Sequence, residues 1–366
     1  MPSPELDLVR LAARATLGPE RAARLRHAVE RGPDWPEVLR LALYHRLAAL
    51  LYVHLRDHAE APEYVVSALR DEVRGDSVRV LFLGSEMARV ADRFRAEGVR
   101  YLVMKGPSLA EAYGGVAKRP FVDNDVWVRP QDFGRAARVL SDLGFAAPER
   151  SARQRAAHLW VHGETVFERT VGGARSAVDL HTALVPAGFR YAPPFEGLAA
   201  RARALDLAGA TVPALGWNDL FLALCVNALK DQWDRLRLAT DVAEVARCVS
   251  DWDAVDARAG QFGSRRAVHL AVLVAADEVD GAFPPDVLRQ SRRDRRAAEL
   301  ARRAGAFLAA SAQRRVRPGH RRAALNLLVQ DGLRGQLRYA GYAAARRLAE
   351  RWTRPTPAAT RRPPAP

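Results

Sequence analysis

The amino-acid sequence predicts an α+β protein in which a small mixed β-sheet is flanked by helical regions on both sides. Apolar residues recur at helical spacing across residues 34–55 and 77–98, the period changes to that of strands at about Val99, and helical spacing returns from Trp217. We therefore expect an N-terminal helical region, an α/β core, a C-terminal helical region and a disordered tail, at residues 1–97, 98–215, 216–351 and 352–366 respectively.

The core begins with the segment VRYLVMK at 99–105, which reads as a strand and is broken by the pair Gly106-Pro107. A short helix, SLAEAYGG, should follow with Ser108 near its start. The segment FVDNDVWV at 121–128 has the composition of a second strand. The next helix should begin at Pro130 and end at Gly144.

Two further strand-like segments, ETVFERT and SAVDLHTAL, flank VGGAR, which predicts a β-hairpin that carries Asp179 on its second strand. From Trp217 the helical pattern continues to about Arg351. The proline-rich ending TRPTPAATRRPPAP cannot contribute to a packed core, so we expect it to be disordered.

The composition excludes several classes of protein. Hydrophobic residues make up 49% and charged residues 27% of the 366 residues, as in globular proteins. No apolar run is long enough for a membrane span, and the first ten residues lack the pattern of a signal peptide. The two cysteines, Cys225 and Cys248, form neither a disulfide framework nor a zinc-site spacing. We therefore expect a cytoplasmic protein.

The positive charge is concentrated at the C-terminal end. Residues 289–366 carry 20 arginines and four acidic residues, whereas the other 288 residues carry 37 basic and 38 acidic ones. The arginines include Arg292, Arg293, Arg295, Arg296, Arg302, Arg303, Arg314, Arg315, Arg317, Arg321 and Arg322. Such a field attracts polyanions, of which RNA is the first candidate and an anionic membrane surface the second. A solvated or internally paired surface is the alternative interpretation.

Two aspartates lie two residues apart in the second predicted strand. Alternate side chains of a strand point to the same face, so Asp123 and Asp125 should lie side by side. Two neighbouring carboxylates repel each other unless a positive charge lies between them. The chain has only three lysines, and two of them, Lys105 and Lys118, lie within 20 residues of this pair. A solvated strand face is the alternative to a functional site.

The order of these elements resembles the minimal nucleotidyltransferase core of the DNA polymerase beta superfamily. More narrowly, it is similar to poorly characterised bacterial nucleotidyltransferases, whose signature is a Lys-Gly turn, an Arg-x-x-x-Asp-x-Asp strand and a later Asp/Glu-Leu-His. The corresponding segments here are MKGPSLAEAY, RPFVDND and VDLH. The resemblance extends from about Trp35 to about Val249 and includes the helical segment LCVNALKDQWDRLRLATDVAEV.

The resemblance implies a catalytic site in which Asp123, Asp125 and Asp179 hold two divalent ions, Mg²⁺ or Mn²⁺. It also implies a phosphate site at the backbone N–H groups of Gly106 to Ser108, with Lys105 or Arg119 as further nucleotide-binding groups. The sequence departs from the family pattern at two asparagines. Asn124 replaces a residue that is usually apolar, and Asn227 stands where relatives often have His.

The function implied by the resemblance is transfer of NMP, with AMP from ATP as the first candidate, to an acceptor and release of pyrophosphate. The acceptor could be a small molecule, a peptide or protein, or an RNA. The alternative is a non-catalytic nucleotide- or RNA-binding protein on a degenerate nucleotidyltransferase core. His181 should orient Asp179 or pack in the core, and a zinc site at His158 and His162 is a weaker alternative because a third ligand at matching spacing is missing from the sequence.

Overall fold

The computed structural model describes residues 3–189, 191–312, 326, 328–330 and 332–353. Two sequence-based predictions concern residues outside the described ones. They are polyanion binding by the part of the basic segment that contains Arg314, Arg315, Arg317, Arg321 and Arg322, and the disordered tail from residue 354. The helices are α1 (Pro4–Leu11), α2 (Pro19–Glu30), α3 (Trp35–Tyr44), α4 (Ala48–Leu55), α5 (Glu63–Ala96), α6 (Pro107–Ala112), α7 (Phe133–Asp142), α8 (Ala152–His162), α9 (Phe195–Ala199), α10 (Trp217–Lys230), α11 (Leu236–Ala246), α12 (Trp252–Gln261), α13 (Arg265–Val279), α14 (Pro285–Arg293), α15 (Arg295–Ala312) and α16 (Gly332–Thr353). The strands are β1 (Tyr101–Val103), β2 (Asn124–Val128), β3 (Glu164–Val171), β4 (Ala174–His181), β5 (Arg203–Leu207) and β6 (Ala210–Ala214).

The six strands form one mixed sheet in the order β3-β4-β2-β1-β6-β5. Strand β2 pairs antiparallel with β1 and parallel with β4, and β1 pairs parallel with β6. The fold class predicted from the sequence, an α+β protein with a small mixed sheet between helical regions, is confirmed. Strands β5 and β6 were not predicted individually, although they fall within the predicted core.

The hairpin of β3 and β4 is also confirmed, and its turn explains its register. Gly172 and Gly173 both have positive φ angles, 56° and 82°, which two-residue hairpin turns of type I′ require. Residues facing each other across the hairpin are therefore fixed by counting outward from Val171 and Ala174. This register places Glu164 opposite His181.

The N-terminal and C-terminal helices share one hydrophobic core with one side of the sheet. Helix α10 is buried along most of its length, and Trp233, in the loop that follows it, is completely buried. Helix α15 contributes Ala297, Leu300 and Leu308 to the same core. The beginning of the basic segment is thus part of the folded body. Two of its arginines, Arg302 and Arg303, pair with Glu299.

Several boundaries differ from the sequence-based expectation. The predicted helical stretch at 34–55 is interrupted at Arg46, whose φ is 55°, so α3 and α4 are separate helices. Strand β2 begins at Asn124, which leaves Asp123 in the preceding loop. Helix α16 continues to Thr353, two residues into the predicted tail. Within the described ranges, none of the helices combines the length and apolarity needed to cross a membrane.

Candidate active site

The site is built where β2 and β4 run side by side at the centre of the sheet. Asp125 of β2 is the direct partner of Asp179 in β4, so the two side chains lie on the same face of neighbouring strands. His181 lies two residues further along β4 and therefore on that face too. Potential ligand atoms of Asp125, Asp179 and His181 all lie within 4.8 Å of one another.

The structure therefore brings together two of the three predicted carboxylates. Asp123 lines the same cavity but does not belong to the group of three converging residues. Its position in the loop before β2 gives its backbone more freedom than a strand residue has. The predicted alternation along a strand accounts for Asp125 only, because Asp123 is outside the strand.

His181 is buried, as one of its two predicted roles requires, but it hydrogen-bonds to Asp125 and not to Asp179. Its imidazole is 3% exposed, with Nε2 at 3.0 Å from Asp125 Oδ1 and Nδ1 at 3.3 Å from Glu164 Oε2. Both ring nitrogens are thus engaged by carboxylates, which fixes the orientation of the ring and of Asp125. Sequence reasoning missed Glu164. The signal was available in the hairpin, because counting from the Gly-Gly turn pairs Glu164 with His181.

The electrostatic environments of the two central aspartates are opposite. Burial alone would raise the pKa of Asp125, but the Lys105 ammonium and the hydrogen bond with His181 hold it well below its usual range. Burial and the neighbouring charges of Asp125 and Asp123 raise the pKa of Asp179 to about 7. Burial and Asp125 also raise the pKa of Asp123. Neither Asp179 nor Asp123 has an ion-pair partner among the described residues, so nearby positive groups offset the rise in these pKa values only in part.

This donor set fits a hard divalent cation such as Mg²⁺ or Mn²⁺, which binds carboxylate oxygens. Asp123 and Asp179 have raised pKa values, and a bound cation would stabilise the charged form of both carboxylates. Imidazole is a poorer ligand for Mg²⁺, and both nitrogens of His181 already contact carboxylates. The oxygens of Asp125 and Asp179 can thus serve as ligands, while His181 orients Asp125.

We expect the stability of the metal-free protein to reflect the raised pKa of Asp179. The folded state binds this proton more tightly than the unfolded state, so the contribution to stability is full below pH 4 and is lost as the pH rises towards 7. Asp179→Asn should remove this loss, which we expect to raise the melting temperature in EDTA at pH 7.5 by roughly 2–4 °C. Thermal unfolding of the wild type and of Asp179→Asn between pH 5 and 8 measures this difference in melting temperature.

In the same experiment Mn²⁺ or Mg²⁺ should stabilise the wild-type protein at pH 7.5 and should have much less effect on Asp179→Asn. An exposed aspartate on the same sheet, Asp206, provides the control substitution Asp206→Asn. Identical pH profiles for wild type and Asp179→Asn would contradict the proposed electrostatics of the site.

Lys105, at the end of β1, lies 3.4 Å from Asp125 Oδ1. Burial alone would lower its pKa, but Asp125 and Glu164 raise it above its ordinary value, so the ammonium stays charged. Lys105 lines the cavity, so its position allows it to contact a nucleotide. That contact stays a prediction. The structure adds a second role, which is to keep Asp125 ionised.

Replacement of Lys105 by Ala should weaken nucleotide binding by about tenfold, since a charged hydrogen-bonding group in a buried site contributes about 1.5–3 kcal/mol. Lys105→Arg should restore binding only in part, because a planar guanidinium does not fit the place of a compact ammonium. Isothermal titration with ATP and Mg²⁺ measures the change. If Lys105→Ala bound ATP as the wild type does, Lys105 would be only a partner of Asp125.

The turn after β1 has fewer backbone N–H groups available to bind a phosphate than the resemblance implied. Gly106 lines the cavity with a positive φ of 48°, and a Cβ there would lie 3.2 Å from the carbonyl oxygen of Asp123. Pro107 has no N–H, and the N–H of Ser108 donates to the carbonyl of Lys105 at 3.0 Å. Ser108 is fully buried and does not line the cavity. Nucleotide binding by Gly106 and Ser108 stays a prediction, and in the structure only Gly106 reaches the cavity.

Arg119 also differs from the expectation, since its charge is neutralised inside the protein. Its Nε and Nη2 donate to the two carboxylate oxygens of Asp241 at 2.7 and 2.9 Å, and Nη1 donates to the carbonyl of Pro120. Tyr113 donates a further hydrogen bond to Asp241 at 2.7 Å. This buried network connects the loop before β2 to α11. Arg119 lines the cavity, but its guanidinium already has a carboxylate partner.

The two unusual asparagines are both buried. Asn124 donates from Nδ2 to the carbonyl of Leu83 at 3.1 Å, which ties β2 to α5. Asn227 donates to the carbonyl of Ala223 at 3.0 Å on its own helix and lines the cavity. Neither contacts a member of the carboxylate group through these bonds. His158 and His162 stack with ring centroids 4.4 Å apart, and they are not part of a metal-ligating group among the described residues.

One cavity of about 240 Å³ lies between the sheet and helices α10 and α11, and its lining includes Lys105, Gly106, Arg119, Asp123, Asp125, Glu164 and Asp179. The combination of a mixed sheet, paired aspartates on neighbouring strands and a polar cavity defines a protein of the nucleotidyltransferase class. Residues 31–279 match the sequence profile of a family described as "Uncharacterised nucleotidyltransferase", which covers more than half of the chain. The chain therefore belongs to this nucleotidyltransferase family and is a transferase that acts on nucleoside triphosphates. Searches of curated proteins and of solved structures found no match.

Proposed function

We propose that the protein transfers NMP, with ATP as the donor and AMP as the group transferred, to a hydroxyl or phosphate oxygen of an acceptor. The acceptor oxygen forms a bond to the α-phosphorus, and the bond from that phosphorus to the oxygen bridging to the β-phosphate breaks. Pyrophosphate leaves with this electron pair, and an acceptor hydroxyl gives its proton to water. The observation that carries the proposal is the pairing of Asp125 with Asp179 on adjacent strands inside the cavity.

The residues of the chain have separate tasks in this proposal. Asp123, Asp125 and Asp179 would hold Mg²⁺ or Mn²⁺ close to the α-phosphate. The ions, when bound, would neutralise phosphate charge and lower the pKa of the attacking hydroxyl. His181 and Lys105 keep Asp125 oriented and ionised, since both contact its Oδ1. Gly106 lets the backbone turn tightly at the cavity wall, because its φ is positive and a Cβ there would lie 3.2 Å from the carbonyl oxygen of Asp123.

The acceptor is open to three classes, namely a small molecule, a peptide or protein, and an RNA. The basic segment from residue 289 favours an acceptor with many negative charges, and binding of a polyanion by this segment remains our prediction. A test therefore has to include all three classes. Candidate acceptors are incubated with the protein, Mg²⁺ or Mn²⁺ and each of the four nucleoside triphosphates, and the products are analysed by mass spectrometry.

We expect the mass of one acceptor to increase by one nucleotidyl group, together with release of one pyrophosphate. Chelation by EDTA should stop the reaction, and Asp206→Asn, the exposed control on β5, should react normally. Release of orthophosphate without modification of an acceptor would point to hydrolysis and would contradict nucleotidyl transfer.

A further inference from the structure

Five basic side chains line the catalytic cavity, and three of them are held by carboxylates of the same cavity. These pairs are Lys105 with Asp125 at 3.4 Å, Lys230 with Glu164 at 3.6 Å and Arg119 with Asp241 at 2.7 Å. The other two are Arg46 and Arg237, and neither makes an ion pair or a side-chain hydrogen bond within the described residues. The cavity thus contains two guanidinium groups that have no ion-pair partner among the described residues.

Arg237, in the first turn of α11, is placed where an unpaired guanidinium is costly. Its Nε is buried and has no hydrogen-bond partner among the described residues. Burial and the neighbouring Arg119 lower its pKa to about 10, and Asp241, the carboxylate that opposes this lowering most strongly, is already bound by Arg119. A buried donor without a partner costs stability, so this arrangement calls for an anion that is supplied from outside the chain.

Arg46 is brought to the cavity by an unusual backbone conformation. It lies in the turn between α3 and α4 with a φ of 55°, a left-handed conformation that residues with a side chain adopt at a cost. Its N–H donates to the carbonyl of Leu43, which closes the turn. Glycine would adopt this conformation at a lower free-energy cost, yet the sequence has an arginine at this position.

The two arginines lie at the passage between two cavities. A second cavity of about 270 Å³ lies beside the catalytic one, and both are lined by Arg46, Arg119, Val122 and Arg237. Asp123 follows Val122 in the chain and lines the catalytic side of this boundary. An anion held by Arg46 and Arg237 would therefore extend from the carboxylates towards the second cavity.

We propose that Arg46 and Arg237 bind the β- and γ-phosphates of the nucleoside triphosphate and the pyrophosphate that is released. This proposal rests on the function proposed above, which places the α-phosphate at the carboxylates. The rest of the polyphosphate must then continue away from them and needs cations without partners of their own. Guanidinium groups bind phosphate oxygens through two parallel hydrogen bonds, which suits a polyphosphate better than a single ammonium.

The test compares Arg46→Gln and Arg237→Gln with the matched control Arg247→Gln. Arg247 directly follows the last residue of α11, is half-exposed, pairs with Glu244 and does not line the cavity. Affinities for ATP, AMP and inorganic pyrophosphate are measured by calorimetry with the full chain and Mg²⁺. Each cavity variant should bind ATP and pyrophosphate about tenfold more weakly or worse, with AMP changed by less than about threefold. Arg247→Gln should bind all three as the wild type does.

Three results would overturn the inference. Unchanged pyrophosphate affinity in both cavity variants would place the phosphates elsewhere and would leave the proposed function standing. Equal losses for AMP and ATP would mean that the arginines hold the α-phosphate or another part of the nucleotide. Absence of metal-dependent ATP and pyrophosphate binding by the wild type would refute the proposed function as well. Arg46 is exposed, so Arg46→Gln tests the inference even if Arg237→Gln does not fold.

Discussion

Replacement of Asp125 or Asp179 by Asn should lower nucleotidyl transfer by about a thousandfold or more. Metal-held charge stabilisation contributes several kcal/mol to such a transition state, and each 1.36 kcal/mol corresponds to a factor of ten in rate. Asp123→Asn should also abolish transfer, because the same ions need a third carboxylate in the cavity. Initial rates of pyrophosphate release with ATP and saturating Mn²⁺ measure the loss.

The two central aspartates should differ in their effect on folding. Asp179→Asn removes a carboxylate that repels its neighbours, so the metal-free variant should be at least as stable as the wild type. Asp125→Asn removes the partner of Lys105 and His181 and should be less stable. Loss of activity in the folded Asp179→Asn variant therefore separates a catalytic effect from a structural one. Near-normal turnover in Asp179→Asn or Asp125→Asn would refute the assignment of the site.

The second large effect should come from Arg119 and Asp241, and it should be an effect on stability. Both side chains are nearly fully buried and joined by two hydrogen bonds, so removal of one partner leaves an uncompensated charge. Arg119→Gln and Asp241→Asn should each lower the free energy of unfolding by about 3–5 kcal/mol. Urea denaturation without nucleotide measures this loss.

An exposed pair provides the control. Arg175 pairs with Glu168 across the β-hairpin, with both side chains mostly in solvent, so Arg175→Gln should cost less than about 1 kcal/mol. If Arg119→Gln were as stable as Arg175→Gln and lost nucleotide affinity, the nucleotide-binding role predicted from the sequence would be correct and the structural role wrong.

The sequence predicted the elements of the site where local rules determine them. The strand before Gly106-Pro107 and the Gly-Gly hairpin are local patterns that led to the correct element or turn, whereas the Asp-x-Asp segment led to a strand that includes Asp125 but not Asp123. The adjacency of Asp125 and Asp179 required the order of the strands, which the resemblance supplied and the sheet shows directly. The family match at residues 31–279 agrees with the predicted extent of the resemblance, from about Trp35 to about Val249.

What the sequence did not predict depends on contacts between distant residues. The partner of Arg119 is Asp241, 122 positions further along the chain, and local patterns do not indicate such a pair. Whether His181 contacts Asp125 or Asp179 depends on side-chain orientation within the assembled sheet. Arg46 and Arg237 come from separate helical regions and meet at the cavity only through the packing of α3 and α11 against the core.

The most direct measurement of the central claim follows the two ends of the triphosphate separately. The protein is incubated with an acceptor mixture, Mn²⁺ and ATP that is radiolabelled either at the α-phosphate or at the γ-phosphate. Nucleotidyl transfer predicts that the α-label becomes attached to an acceptor, that the γ-label appears in pyrophosphate, and that both events disappear in Asp179→Asn. Attachment of the γ-label to an acceptor, or products that are unchanged in Asp179→Asn, would contradict the account.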